Sequence, residues 1–139
     1  MGHQYGLNIC NLMPHEIIVF TEDGEKVFIP SSGYVSRCSV HTRKSGNILL
    51  NVDGVDKLFG TVEQVFEHPQ LRKIGGKEVL KFPDPIKDHV FIASTMVARA
   101  LRRPDVLSPD TTVRSAIRGD TGHIVAVSRL QTFSVEDTT

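Results

Sequence analysis

HVFIASTMVARALRR, residues 89–103, is where the hydrophobic period changes from strand to helix, and the fold is read outward from it. HVFIA reads as a buried strand because it is apolar and rich in β-branched and aromatic residues. Ser94 then suits a helix N-cap, since its hydroxyl can accept from the exposed amides of a first turn. Met96, Val97, Ala100 and Leu101 form one apolar stripe at helical spacing, and Pro104 ends the run. This is the one helix the sequence predicts, about two turns long at roughly 3.6 residues per turn.

Upstream of it the signals are those of hairpins. IIVF, Ile17 to Phe20, is the first predicted strand, and TEDG turns it into EKVFIP. PSSG at 30–33 is a second turn, and YVSRCSVH alternates as a third strand. RKSGN at 43–47 interrupts the pattern, ILLNV resumes it, and Asp53-Gly54 is a dipeptide favoured where a hairpin needs positive φ. LFGTVEQVFEHP fits a strand or a short helix; RKIGGKEVLKF fits a further hairpin about its Gly-Gly pair. The prolines of FPDPIKD make a linker. After the helix, HIVAVSRLQTF is the final strand and residues 134–139 a frayed tail. The expected fold class is α+β: a mostly antiparallel β-sheet built from hairpins, with one short helix after a strand in the C-terminal third, in a single domain spanning 1–139.

Composition restricts function. A chain of 139 residues is long enough to bury roughly two-thirds of its unfolded surface. Sixteen Lys+Arg balance sixteen Asp+Glu, which argues against bulk-charge attachment to DNA, RNA or a membrane. Aromatic content of 6% without Trp argues against broad base-stacking platforms. MGHQYGLNICNL has no long apolar leader, and no run approaches the roughly 18 apolar residues of a membrane span, so a cytoplasmic location is expected. Cys10 and Cys38 are too far apart for a CxxC pattern and read as small apolar side chains.

Catalytic patterns are absent. The six histidines, at 3, 15, 41, 68, 89 and 123, show no i, i+4 pair for zinc, so no metal is expected. His15 fits a ring bonded to nearby backbone. There is no GxSxG and no phosphate-binding glycine loop, so no cofactor is expected either. Ser94 stands between strand and helix as an elbow serine would, but capping explains it. Asp84, Asp88, Asp105 and Asp110 suit loop turns. RGD at 118–120 is too short to carry meaning. The expectation is a protein that is not an enzyme.

The arginines are the unexplained feature. Arg99, Arg102, Arg103, Arg114, Arg118 and Arg129 face only Asp105, Asp110 and Asp120 in that region, and no lysine joins them. A guanidinium fork takes phosphate bidentately where an ammonium is a point charge. Arg102 and Arg103 fit a solvated helix face; Arg114, between Val113 and the turn before the last strand, fits a ligand contact and a surface charge equally.

NLMPHEIIVF, IPSSGYVSRCSV, VFIASTMVARAL, SPDTTVR and GHIVAVSRL stand in this order along nearly the whole chain. Their layout resembles that of small phage proteins that begin N-L-T-P-H, continue I-P-P-S-G and end in a T-V-R…G-x-I-x-G-V strand, among them the Thoeris anti-defence protein 1 family of cyclic-ADP-ribose sponges. Met13 stands at the usual Thr, Ser31 at a Pro, and the segment from Asp56 to Phe82 is longer. The resemblance implies a protein that sequesters, uncleaved, a cyclic ADP-ribose isomer made by a TIR-domain enzyme of the infected bacterial host. It implies dimers that can assemble into hexamers, and in some members separate sites for cyclic oligonucleotides. The family's ligand arginine would fall on Arg114, with Phe91 and Arg99 nearby. Thr112 and Arg118 flank Arg114, and Phe82 or Phe91 could supply an aromatic ring for the purine. An alternative without any small ligand is a phage structural or assembly protein whose arginines bridge subunits. A small hydrolase using Ser94 or loop acids is a third reading.

Overall fold

A computed structural model describes residues 6–133; the tail predicted at 134–139 lies outside them. The described chain has thirteen strands and one helix. Strands β1 (Asn8–Asn11), β2 (Ile17–Phe20), β3 (Lys26–Ile29) and β4 (Tyr34–Arg37) precede two long strands, β5 (Val40–Val52) and β6 (Val55–Phe66). Then come β7 (Gln70–Lys73), β8 (Val79–Lys81), β9 (His89–Ile92), α1 (Thr95–Leu101), β10 (Val106–Pro109), β11 (Ala116–Arg118), β12 (Ile124–Val127) and β13 (Leu130–Thr132). They form four sheets: β1-β9-β10-β13, β11-β12-β2-β3, β4-β7-β8, and the pair β5-β6 on its own. The fold is α+β and mostly antiparallel, as expected. Three pairings are parallel: β1 with β9, β9 with β10, and β12 with β2.

Local chemistry accounts for the hairpins. Gly24 at φ 87° turns β2 into β3, with Thr21 Oγ1 accepting from the Glu25 amide at 3.0 Å. Asp53 and Gly54, at φ 53° and 83°, make the two-residue turn between β5 and β6 whose positive φ values match the strands' twist. Gly75 at φ 77° lies in the predicted β7–β8 turn. Ser94 caps α1, accepting from the Val97 amide at 3.3 Å. The helix stops at Arg102, which takes a left-handed conformation and donates its amide to the Ala98 carbonyl, two residues before the expected stop at Pro104.

The core lies where the β9 sheet, α1 and the β4-β7-β8 sheet meet. Leu12, Leu71, Phe82, Phe91, Ala93, Val97, Ala98 and Val106 form one buried cluster, with Cys10 and Cys38 packed against it. Both thiols are free, and burial followed by the nearby Glu67 charge pushes the Cys38 thiol up. Phe82 and Phe91 meet edge to face, centroids 5.5 Å apart.

Several expectations are corrected. NICN forms β1, before the first predicted strand; its residues have weak strand preference and are held by parallel pairing with β9, a contact from the far end of the chain. RKSGN does not interrupt a strand: β5 runs through it, absorbing one extra residue as a bulge between Lys44 and Gly46, with Gly46 at φ 143°. LFGTVEQVF is strand throughout. The helix buries Val97 and Ala98, and Met96 is exposed. The final strand is broken at Ser128-Arg129, because both amides turn to Ser115 Oγ, at 3.2 and 3.0 Å, splitting it into β12 and β13.

Candidate functional site: a cleft between two sheets

Asn11 organises the N-terminal loop. It is 2% exposed, its Nδ2 donates to the carbonyls of His15 and Ile29 at 3.1 and 3.0 Å, and its Oδ1 accepts from the Met13 amide at 2.8 Å. These bonds fix Met13-Pro14-His15 as a tight loop between β1 and β2. The His15 ring donates from Nδ1 to the Glu16 carbonyl at 2.8 Å, as the sequence suggested, which leaves Nε2 directed elsewhere.

A second loop, 110–115, is braced at both ends. The Asp110 carboxylate accepts from the Thr112 amide at 3.0 Å and from Arg129 at 2.9 Å. The Thr112 bonds, reinforced by Arg129, hold its carboxyl below the usual carboxylate range. At the other end buried Ser115 takes the Ser128 and Arg129 amides. Between these anchors the Thr112 carbonyl accepts from the amides of Ser115 and Ala116 at 3.0 and 2.8 Å, closing a turn with Val113 and Arg114 at its exposed tip.

The two loops border one cleft of ≈ 290 Å³, near the lower end of small-molecule pockets at about 300 Å³. Its wall comes from four stretches: Met13 and His15–Ile18, Ser94 and Thr95, Pro109 and Thr111, and Ile124–Val127. The surface is predominantly aliphatic, with hydroxyls of Ser94, Thr95 and Thr111 and the side chains of His15 and Glu16 as its polar points. Its titratable side chains are Glu16 and His15, whose Nδ1 is bonded to the Glu16 carbonyl. Ser94 Oγ is engaged as a cap, Asp105 is bonded to Arg103, and Asp110 to Arg129. Among the described residues no cluster of three His, Cys, Asp or Glu side chains could hold a metal.

The predicted site residues are dispersed differently from expectation. Thr112 and Arg114 share the braced turn, adjacent in sequence to the cleft residue Thr111, and Arg114 forms no ion pair among the described residues. Phe82 and Phe91 are 1% and 3% exposed; each is core for the other, and neither offers a ring face to a ligand. Arg99 is exposed but lies over the Phe133 ring at 5.7 Å, and Arg118 donates to the Gly122 carbonyl of its own turn at 2.6 Å. Arg103 is structural: it forks onto Asp105, donates to the Pro83 carbonyl and covers Phe82. Of the arginine group, then, Arg114 is exposed on a hydrogen-bonded turn three residues after the cleft residue Thr111. The aliphatic walls and Asn11 were missed as site elements; both lay inside the quoted motifs, whose residues carry no chemical signature of a pocket.

Comparisons with protein families, with curated proteins and with solved structures found no match.

Proposed function

We propose that the protein is a non-catalytic nucleotide sponge, binding a cyclic ADP-ribose isomer or a related cyclic nucleotide in the cleft between the two sheets. One observation carries this reading. The cleft is lined by four of the five stretches on which the family resemblance rests, spread from Met13 to Val127 in sequence and gathered in space. Aliphatic walls suit a purine or ribose face, the hydroxyls suit sugar oxygens, and Arg114 suits a pyrophosphate at the rim. Among the described residues no Phe or Tyr lines the cleft, so aliphatic side chains and the His15 ring meet the purine, and Met13, in place of the family's Thr, adds a polarizable surface for it. At ≈ 290 Å³ one protomer encloses only part of such a guest, so a homo-oligomer, a dimer or a hexamer, completes the enclosure. Retention without turnover fits a cleft whose serine, Ser94, is engaged as a helix cap. The setting is the cytoplasm of an infected bacterium, with the signal of a TIR-domain enzyme as the guest.

The test is to incubate the purified protein with lysate from cells carrying an activated TIR-domain enzyme, denature it by heat, and identify the released small molecules by mass spectrometry. Intact cyclic nucleotide supports the sponge. Cleaved nucleotide supports a hydrolase, and release of nothing, together with recovery of the protein in purified virions, supports the structural-protein reading that the long β5–β6 pair favours.

A further inference from the structure

The three-stranded sheet β4-β7-β8 concentrates positive charge. Its strands read YVSR, QLRK and VLK, which is four cations and no acid in a chain of zero net charge. Register decides which of them meet. Arg37 pairs with Gln70 and Gln70 with Lys81, while Arg72 pairs with Val35 and with Val79. Side chains alternate along a strand and paired residues share a face, so Arg37, Gln70, Arg72, Val79 and Lys81 lie together. Leu71, on the other face, is buried in the core cluster, which turns the cationic face outward. Arg37 and Arg72 are diagonal neighbours across the β4–β7 pair, at the roughly 7–8 Å that long side chains span. Like charges at that spacing repel, and an anion held between them removes the penalty.

A depression of ≈ 250 Å³ opens over this face. Six of its eight lining residues are polar, and it shares none with the cleft between the two sheets. Arg37 and Arg72 both line it, exposed and in no ion pair among the described residues. Its one acid, Glu67, is bonded to the His41 ring at 2.7 Å. His68, Gln70 and Ser39 add N–H and O–H donors to the wall. We infer a second binding site here, for the terminal phosphate of a small phosphomonoester such as a sugar phosphate. The donor set selects this class. Two guanidinium forks, an imidazole, an amide and a hydroxyl offer more donors than the two free oxygens of a diester accept. A terminal phosphate presents three oxygens and a charge of about −1.5 to −2 at pH 7, which matches two arginines. Cyclic nucleotides, whose phosphates are diesters, are disfavoured. At ≈ 250 Å³, under the roughly 300 Å³ at which small-molecule pockets begin, the site takes a phosphate with a body no larger than a sugar. This inference rests on the β4-β7-β8 sheet and is independent of what the cleft binds.

The experiment is an NMR titration of the full chain, followed by backbone amide shifts, with ribose 5-phosphate, AMP and cyclic AMP as probes. Ribose 5-phosphate and AMP are expected to move the amides of residues 37–39 and 67–72. Cyclic AMP should act there at least about tenfold more weakly, because its diester has one free oxygen and one charge fewer. Arg37→Gln and Arg72→Gln should each weaken ribose 5-phosphate by about tenfold or more, and so should Arg37→Lys, since an ammonium keeps the charge and loses the fork. Both side chains are exposed, so the variants should melt with wild type. No shift at millimolar probe overturns the inference, as does cyclic AMP binding as well as AMP, or full affinity in any of the three variants. Shifts confined to residues 13–18 and 124–127 would put the phosphate in the cleft and overturn it too. A phosphoserine peptide that binds more tightly than ribose 5-phosphate would assign the face to a protein partner and overturn the small-molecule ligand.

Discussion

Asp110 accepts a hydrogen bond from Arg129 at 2.9 Å, tying the loop that displays Arg114 to the break between β12 and β13. The carboxylate also takes the Thr112 amide, so one buried side chain sets both the direction of the loop and the shape of its tip. Its pKa in the folded protein lies below the 3.8 of a free side chain. A depressed carboxyl stabilises the fold fully above the unfolded value and loses that contribution as pH falls through the folded one. Asp110→Asn should therefore be less stable than wild type at pH 7, and the gap should narrow below about pH 4. Thermal melts of both proteins from pH 2.5 to 7 check this; a gap constant with pH would contradict it.

Asn11→Ala removes a buried amide that satisfies two carbonyls and one amide of the backbone. Stranding such groups is expected to cost about 2–4 kcal/mol, read from urea unfolding at unchanged m-value. A loss under about 1 kcal/mol would mean that water replaces the side chain and that the loop around Met13 does not depend on it.

Ser94→Ala separates a cap from a nucleophile. Loss of the bond to the Val97 amide should lower stability by about 1 kcal/mol. Nucleotide recovered from the variant should be as intact as that from wild type. Loss of a cleaved product on substitution would instead assign chemistry to the hydroxyl.

Ser108 is fully buried on β10, and its hydroxyl has no hydrogen-bond partner among the described residues. Replacing an unpaired buried hydroxyl by a methyl relieves its desolvation, so Ser108→Ala should raise stability by about 1 kcal/mol. Calorimetry checks this, and a lowered Tm would show that the hydroxyl is bonded in solution.

Much of the fold was legible because the deciding chemistry was local. Ser94 before an apolar helical stripe, and Asp53-Gly54 between alternating runs, act within a few residues of themselves, and both behave as read. The misread elements depend on distant partners. Asn8–Asn11 becomes a strand only beside β9, and HIVAVSRLQTF breaks because Ser115 captures two amides thirteen and fourteen residues on. The site was legible as segments and poorly legible as side chains. Arg114 stands out by type and setting, but nothing in the sequence separates an aromatic residue in a pocket from one in a core, and Phe82 and Phe91 pack on each other. The cleft's aliphatic wall looked like ordinary strand interior for the same reason.

The most direct test of the sponge reading is a calorimetric titration of wild type and Arg114→Ala with cyclic ADP-ribose isomers and cyclic oligonucleotides. Wild type should bind at least one of them. The variant, melting at the same temperature because the side chain is exposed, should bind more weakly by the roughly 1.5–3 kcal/mol of a charge-assisted contact, about ten- to a hundredfold. No binding by wild type to any of these nucleotides, or equal affinity in the two proteins, would contradict a rim guanidinium gripping a nucleotide guest.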